Sequence, residues 1–158
     1  MDLPYRENII DKSIQVTQSR CQSVELDKAG TQTQNKNNTT ILLAEDNDAV
    51  AKTIKRFLEF SGYPVHHVAD GQAAILAAEE QLPHVILMDI QMPVVDGLTA
   101  IKQIRKNQNL KDTQIIALTG LAMESDSQRC FEAGADNYLS KPFRMQSIIE
   151  TIEQSISS

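Results

Sequence analysis

Ile41-Leu42-Leu43-Ala44-Glu45-Asp46 is a short aliphatic run that stops on two carboxylates, and Val85-Ile86-Leu87-Met88-Asp89 repeats the plan. Both runs are apolar at consecutive positions rather than alternating, which is the pattern of a strand buried on both faces of a parallel sheet. Such a strand delivers its last side chains to the carboxyl edge of the sheet, where α/β folds place their ligands. A later run, 114–119, ends on Thr119, and the run at 137–139 stops shortly before Lys141-Pro142. Carboxylates, one hydroxyl and one ammonium therefore gather at one edge. That is a set suited to holding Mg²⁺ and moving a phosphoryl group.

Helical patterns alternate with these strands. After the strand at 41–45, a helix begins near Asp48, with Val50, Ile54, Phe57 and Leu58 spaced as one apolar face, and stops at Gly62 and Pro64. A second strand over 65–69 leads to Asp70-Gly71 and an alanine-rich helix reaching Gln81. Pro83 then precedes the third strand, 84–89. The third helix starts near Asp96-Gly97 and carries Leu98, Ile101 and Ile104 inward. The fourth, from about Met123 to Ala133, ends at Gly134, the residue suited to a left-handed cap. A last helix from Phe143 presents Ile148, Ile149, Ile152 and Ile156 on one side. Strict strand–helix alternation with five of each predicts an α/β fold: a doubly wound parallel sheet with helices on both faces and right-handed crossovers.

The chain of 158 residues is long enough for one domain with a real core, and its net charge is −6. Residues 1–40 carry five acids and five bases, so the whole negative balance lies in 41–158. An acidic domain without a basic stripe is not suited to direct nucleic-acid binding. No apolar run approaches membrane-spanning length and the first residues do not form a signal peptide, so no membrane insertion is expected. Cys21 and Cys130 have no metal-ligand partners nearby, consistent with a reduced cytoplasmic setting. Residues 21–40 are almost entirely polar and cannot bury enough surface to offset the entropy of ordering, so 1–40 reads as a flexible tail or linker.

Glu45-Asp46, the stretch from Asp89 through Met92-Pro93 to Asp96-Gly97, Thr119-Gly120 and Lys141-Pro142 together resemble the receiver domains of two-component response regulators. The resemblance spans 41–158. It implies a flavodoxin-like three-layer sandwich with strand order 2-1-3-4-5. It puts the phosphorylated aspartate at Asp89 and implies Mg²⁺ bound by Asp46, Asp89 and the backbone carbonyl of Gln91, with Glu45 acting mainly through water. Thr119 and Lys141 would answer phosphoryl oxygens, and Lys141-Pro142 would be a cis peptide. Tyr138 falls on the aromatic switch position; it can equally be a half-buried strand aromatic with no switching role.

The implied function is phosphoacceptor signalling. The donor is a sensor histidine kinase or histidine phosphotransfer protein, and the output is a downstream protein contacted through the face of helix 4, strand 5 and helix 5. The domain would be no enzyme beyond its own aspartyl phosphorylation and dephosphorylation. Only 17 residues follow Lys141, which points to a stand-alone receiver or relay intermediate. The alternative is the C-terminal receiver portion of a hybrid sensor histidine kinase, with 1–40 as its linker. An aspartyl-phosphate phosphatase of the haloacid-dehalogenase type needs Asp-x-Asp on its first strand, which Asp89-Ile90-Gln91 does not supply. No glycine-rich phosphate loop follows the first strand, which argues against a nucleotide module. Asp70 and Asp96 read as helix caps, His66, His67 and His84 as ordinary strand or surface residues, and Met88 and Met92 as packing.

Overall fold

The computed structural model describes residues 38–120 and 124–157. The tail expected over 1–40 lies outside them up to residue 37, as does the expected start of the fourth helix at Met123. The elements are β1 (Ile41–Ala44), α1 (Asp48–Phe60), β2 (Val65–Val68), α2 (Gly71–Gln81), β3 (Val85–Asp89), α3 (Gly97–Arg105), β4 (Gln114–Thr119), α4 (Glu124–Ala133), β5 (Asn137–Ser140) and α5 (Met145–Ser157). A short 3-10 turn, Gln108–Leu110, joins α3 to β4. The sheet is parallel throughout, in the order β2-β1-β3-β4-β5. This is the expected doubly wound, flavodoxin-like arrangement.

The consecutive apolar runs divide between two cores, because successive strand side chains point to opposite faces. Leu42, Ala44, Ile86, Met88, Ile115 and Ala117 pack with α2, α3 and α4 on one face. Ile41, Leu43, Val85, Leu87, Ile116 and Leu118 pack with α1 and α5 on the other. Every residue of β1 and β3 is buried, Asp89 included. The chain is tied to the sheet just ahead of β1: Thr39 is buried, and the Thr40 carbonyl accepts from the His84 and Val85 amides.

Three helices start on side-chain caps the sequence advertises. Asn47 Oδ1 accepts from the Ala49 and Val50 amides, Asp70 Oδ1 from Ala73, and Asp96 Oδ1 from Thr99. Each satisfies amides that the first helical turn leaves without partners. Gly134 ends α4 with φ 122°, and the Lys141-Pro142 peptide is cis, both as expected.

Some expected boundaries shift. β1 ends at Ala44 and β2 at Val68, β5 extends to Ser140, and α5 starts at Met145 rather than at Phe143, which half-buries its ring against the α1/α5 core instead. Leu98, expected on the inward face of α3, is only partly buried. The interior positions there are Gly97, Ala100, Ile101 and Ile104, since small residues let α3 lie close to the sheet. Arg105 closes the end opposite the carboxyl edge. Its guanidinium donates to the carbonyls of Gly134 and Leu110 and pairs with Asp136 at 2.6 Å. No helix among the described residues is long and apolar enough to cross a membrane.

Candidate functional site

The strand register assembles the site. Ala44 pairs with Met88, so the next residues, Glu45 and Asp89, emerge side by side from the two central strands. Asp89 pairs with Leu118, which puts Thr119 at the neighbouring strand end, and Thr119 pairs with Ser140, immediately before Lys141. The Lys141 amide donates to the Thr119 carbonyl at 2.6 Å, closing that edge.

The side chains converge. Ligand atoms of Glu45, Asp46 and Asp89 all lie within 4.8 Å of one another, with Glu45 and Asp89 buried and Asp46 exposed. Lys141 Nζ lies 3.0 Å from Glu45 Oε2 and 3.4 Å from Asp89 Oδ2. The second Glu45 oxygen accepts from the Asn47 amide at 3.0 Å, and Asp89 Oδ1 accepts from the Gln91 amide at 3.2 Å.

These contacts set the charges. Burial, and then the Glu45 charge, push the Asp89 carboxyl up to about 6, against the pull of Lys141 and the Gln91 amide. Burial also opposes ionisation of Glu45, but the Asn47 amide and Lys141 outweigh it and hold that carboxyl below its ordinary value. Lys141 resists its own burial through its bonds and attraction to Glu45 and Asp89, and is held above its ordinary value. Three carboxylates against one ammonium leave a net negative cavity. The donors are all oxygens, hard and acidic, which fits Mg²⁺ rather than a thiolate- or imidazole-seeking metal. Asp46, Asp89 and Glu45 are the side chains able to hold it.

Thr119 is buried at the strand end, and a cleft of about 300 Å³ opens beside it, bounded by Gln91, Met92, Leu98, Arg129 and Cys130. Tyr138 is exposed and packs edge-on against Phe131 of α4, with ring centroids 5.8 Å apart.

Sequence reasoning missed three supports. Asn47 caps α1 with its side chain while its own amide pins Glu45. An Asn just before an apolar-periodic helix signals the cap; nothing in the sequence signals the second bond. His67 bonds the Glu45 carbonyl at 2.8 Å, a contact across strands that no local pattern reveals. Glu45, read mainly as a metal-side acid, is also the nearest partner of Lys141.

Comparison with known proteins agrees with this fold. The family model described as the response regulator receiver domain matches residues 41–153. The polar-differentiation response regulator DivK of Brucella ovis is 36% identical over 114 residues, covering 72% of this chain and 93% of that protein. The crystal structure of the receiver domain of a sensor histidine kinase from Pseudomonas aeruginosa, with magnesium coordinated in its active-site cleft, is 40% identical. The match covers 76% of this chain and 98% of that one, with a TM-score of 0.72. A chemotaxis response regulator of Vibrio cholerae is similar at 28% identity and a TM-score of 0.71, covering 74% of this chain and 98% of that one.

Proposed function

The chain belongs to the response regulator receiver family, and we propose that it is a phosphoacceptor in two-component signalling, taking a phosphoryl group onto Asp89 from a phosphohistidine. The observation that carries this reading is the buried Asp89 carboxylate at the end of a central strand, within 3.4 Å of Lys141 and inside a cluster of acids.

An Asp89 carboxylate oxygen attacks phosphorus, the phosphorus–nitrogen bond of the donor breaks, and the imidazole leaves with the electron pair. The product is an acyl phosphate. Water later cleaves the phosphorus–oxygen bond and restores the carboxylate, so the domain turns over only its own modification and is not an enzyme in the wider sense. Lys141 offers its ammonium to one phosphoryl oxygen and Thr119 its hydroxyl to another, aimed at charge that spreads over the equatorial oxygens during transfer. Asp46, Asp89 and the Gln91 carbonyl would hold Mg²⁺, with Glu45 acting through water, and a metal held there would supply neutralisation of the charge on the transferring phosphoryl group. The magnesium described in the similar Pseudomonas aeruginosa receiver supports that assignment.

The output follows from Thr119. As its hydroxyl moves toward the phosphoryl group, the exposed Tyr138 ring turns inward and the α4–β5–α5 face changes, a two-state element biased by a local charge event. The domain acts in the cytoplasm, and its partners are a sensor histidine kinase or histidine phosphotransfer protein and a downstream protein. A second reading, a receiver portion of a hybrid sensor kinase, is favoured by the 40% identity to the receiver domain of a sensor histidine kinase.

The test is incubation with acetyl phosphate and Mg²⁺ followed by mass spectrometry. One phosphoryl group per chain is expected, lost in Asp89→Asn. Undiminished labelling of that variant sinks the assignment. Phosphotransfer profiling against purified histidine kinases and phosphotransfer proteins then identifies the donor.

A further inference from the structure

The loop between β3 and α3 is held in a conformation its own sequence does not favour. Val94 has φ 69°, left-handed backbone in a β-branched residue, and its side chain is 85% exposed, so neither intrinsic preference nor packing explains it. The Val95 amide donates to the Pro93 carbonyl at 2.8 Å, making a tight three-residue turn around Val94. Strain of this kind persists only where the surroundings over-determine it.

Two glycines supply those surroundings. Gly97 lies directly on the Asp89 carbonyl, with a Cβ there only 2.7 Å from the Ile90 Cα, and its amide closes the base of the loop on the Ile90 carbonyl at 3.0 Å. Gly71, the first residue of α2, receives the tip. A Cβ on Gly71 would fall on the Val95 carbonyl oxygen, 2.8 Å from the carbonyl carbon and 3.0 Å from the Val95 Cβ. Both atoms met first are backbone, so a side chain at 71 cannot be accommodated by turning a rotamer. Either α2 or the loop must move. From the same loop, the Gln91 amide reaches back to Asp89 Oδ1 at 3.2 Å.

We propose that Gly71, on a helix that contributes nothing to the acidic pocket, is a positioning residue for Asp89. By admitting the Val95 carbonyl it seats the β3–α3 loop, and the seated loop orients the Asp89 carboxylate through the Gln91 amide. The functional half of this inference rests on the phosphoacceptor reading of Asp89. The positioning half does not.

Gly71→Ala is the probe. If the contact were of no consequence, alanine would be neutral or helpful at the start of a helix, because it has the better helical propensity. Seated as described, the variant should instead melt at lower temperature. In metal-free protein the Gln91 amide resonance should shift and exchange faster with solvent. The Mg²⁺ dissociation constant measured by calorimetry, and the rate of labelling by acetyl phosphate, should each worsen roughly tenfold or more.

The double variant Gly71→Ala/Val94→Gly separates positioning from stability. Glycine accepts a left-handed φ without steric penalty, so the loop can give way and the melting temperature recovers. Mg²⁺ affinity and the Gln91 signal should remain impaired. Recovery of all of these together would assign Gly71 a purely structural role and overturn the proposal, as would a Gly71→Ala protein with wild-type Mg²⁺ affinity and an unshifted Gln91 amide. Failure of the wild-type chain to bind Mg²⁺ or accept phosphate would strike the phosphoacceptor reading instead, leaving the amide measurement to decide the positioning.

Discussion

Asp89→Asn should make the metal-free protein more stable at neutral pH. Asp89 is 3% exposed and its carboxyl is pushed up from 3.8 to about 6, first by burial and then by Glu45. Because the folded pKa is raised, the neutral form favours folding, and that contribution is complete below the unfolded pKa. It is lost as pH rises from near 4 through about 6, where the folded group ionises. A shift of that size corresponds to about 3 kcal/mol of destabilisation once Asp89 is fully charged, at about pH 7.5. Asparagine keeps the shape and removes the charge. Urea melts in chelator should therefore show Asp89→Asn ahead by up to about 3 kcal/mol at about pH 7.5, narrowing to about 1 kcal/mol near pH 4.5. In a thermal melt the same difference is about 10 °C near neutral pH. Saturating Mg²⁺ should raise wild type, by about 2.7 kcal/mol at a hundredfold excess over its dissociation constant, and leave the variant nearly unmoved. A variant no more stable than wild type at neutral pH, or an advantage that is flat with pH, would refute the idea that burial and the Glu45 charge disfavour the ionised carboxylate here.

Other consequences are simpler to check. Lys141→Met strands the buried Glu45 charge and should lower urea-melt stability by about 2 kcal/mol or more, with acetyl phosphate labelling slowed at least tenfold. Asn47→Ala removes the α1 cap and should cost about 1 kcal/mol in the same melt. Ile86→Ala, at a fully buried position of β3, should cost about 2–5 kcal/mol without changing Asp89 as the labelled residue.

The fold was legible because its signals are local. Uninterrupted apolar runs mark the two-sided strands, and Asp70 and Asp96 announce helix starts that the structure finds at the expected places. The acids at the ends of β1 and β3 could be brought together on paper because parallel neighbours in this topology end at the same edge. Thr119 and Lys141 fell at the same edge by the strand pattern, but their individual roles could be assigned only through the family resemblance, since nothing local distinguishes an exposed lysine or a strand-end threonine from one that faces a pocket. Apart from the Asn47 amide on Glu45, the contacts that escaped notice are between distant segments: Glu45 with Lys141, His67 with the Glu45 carbonyl, Gly71 with the Val95 carbonyl. Gly71 looked like half of a helix-start signal, and its second use depends on where another loop lands. Strand ends shifted by a residue or so because pairing, not side-chain chemistry, decides where a ladder stops.

Lys141 rests nearer to Glu45 than to Asp89. The pocket thus carries its own placeholder cation, a tethered one that half-satisfies the acids and lets the sheet edge exist before any ion arrives. A divalent ion taken up there would not simply fall into a well of repulsion waiting to be relieved; it would compete with an attachment already made. Its grip would be the difference between two bonding arrangements, so strengthening the resting tether should weaken ion capture, and counting carboxylates alone would overestimate affinity.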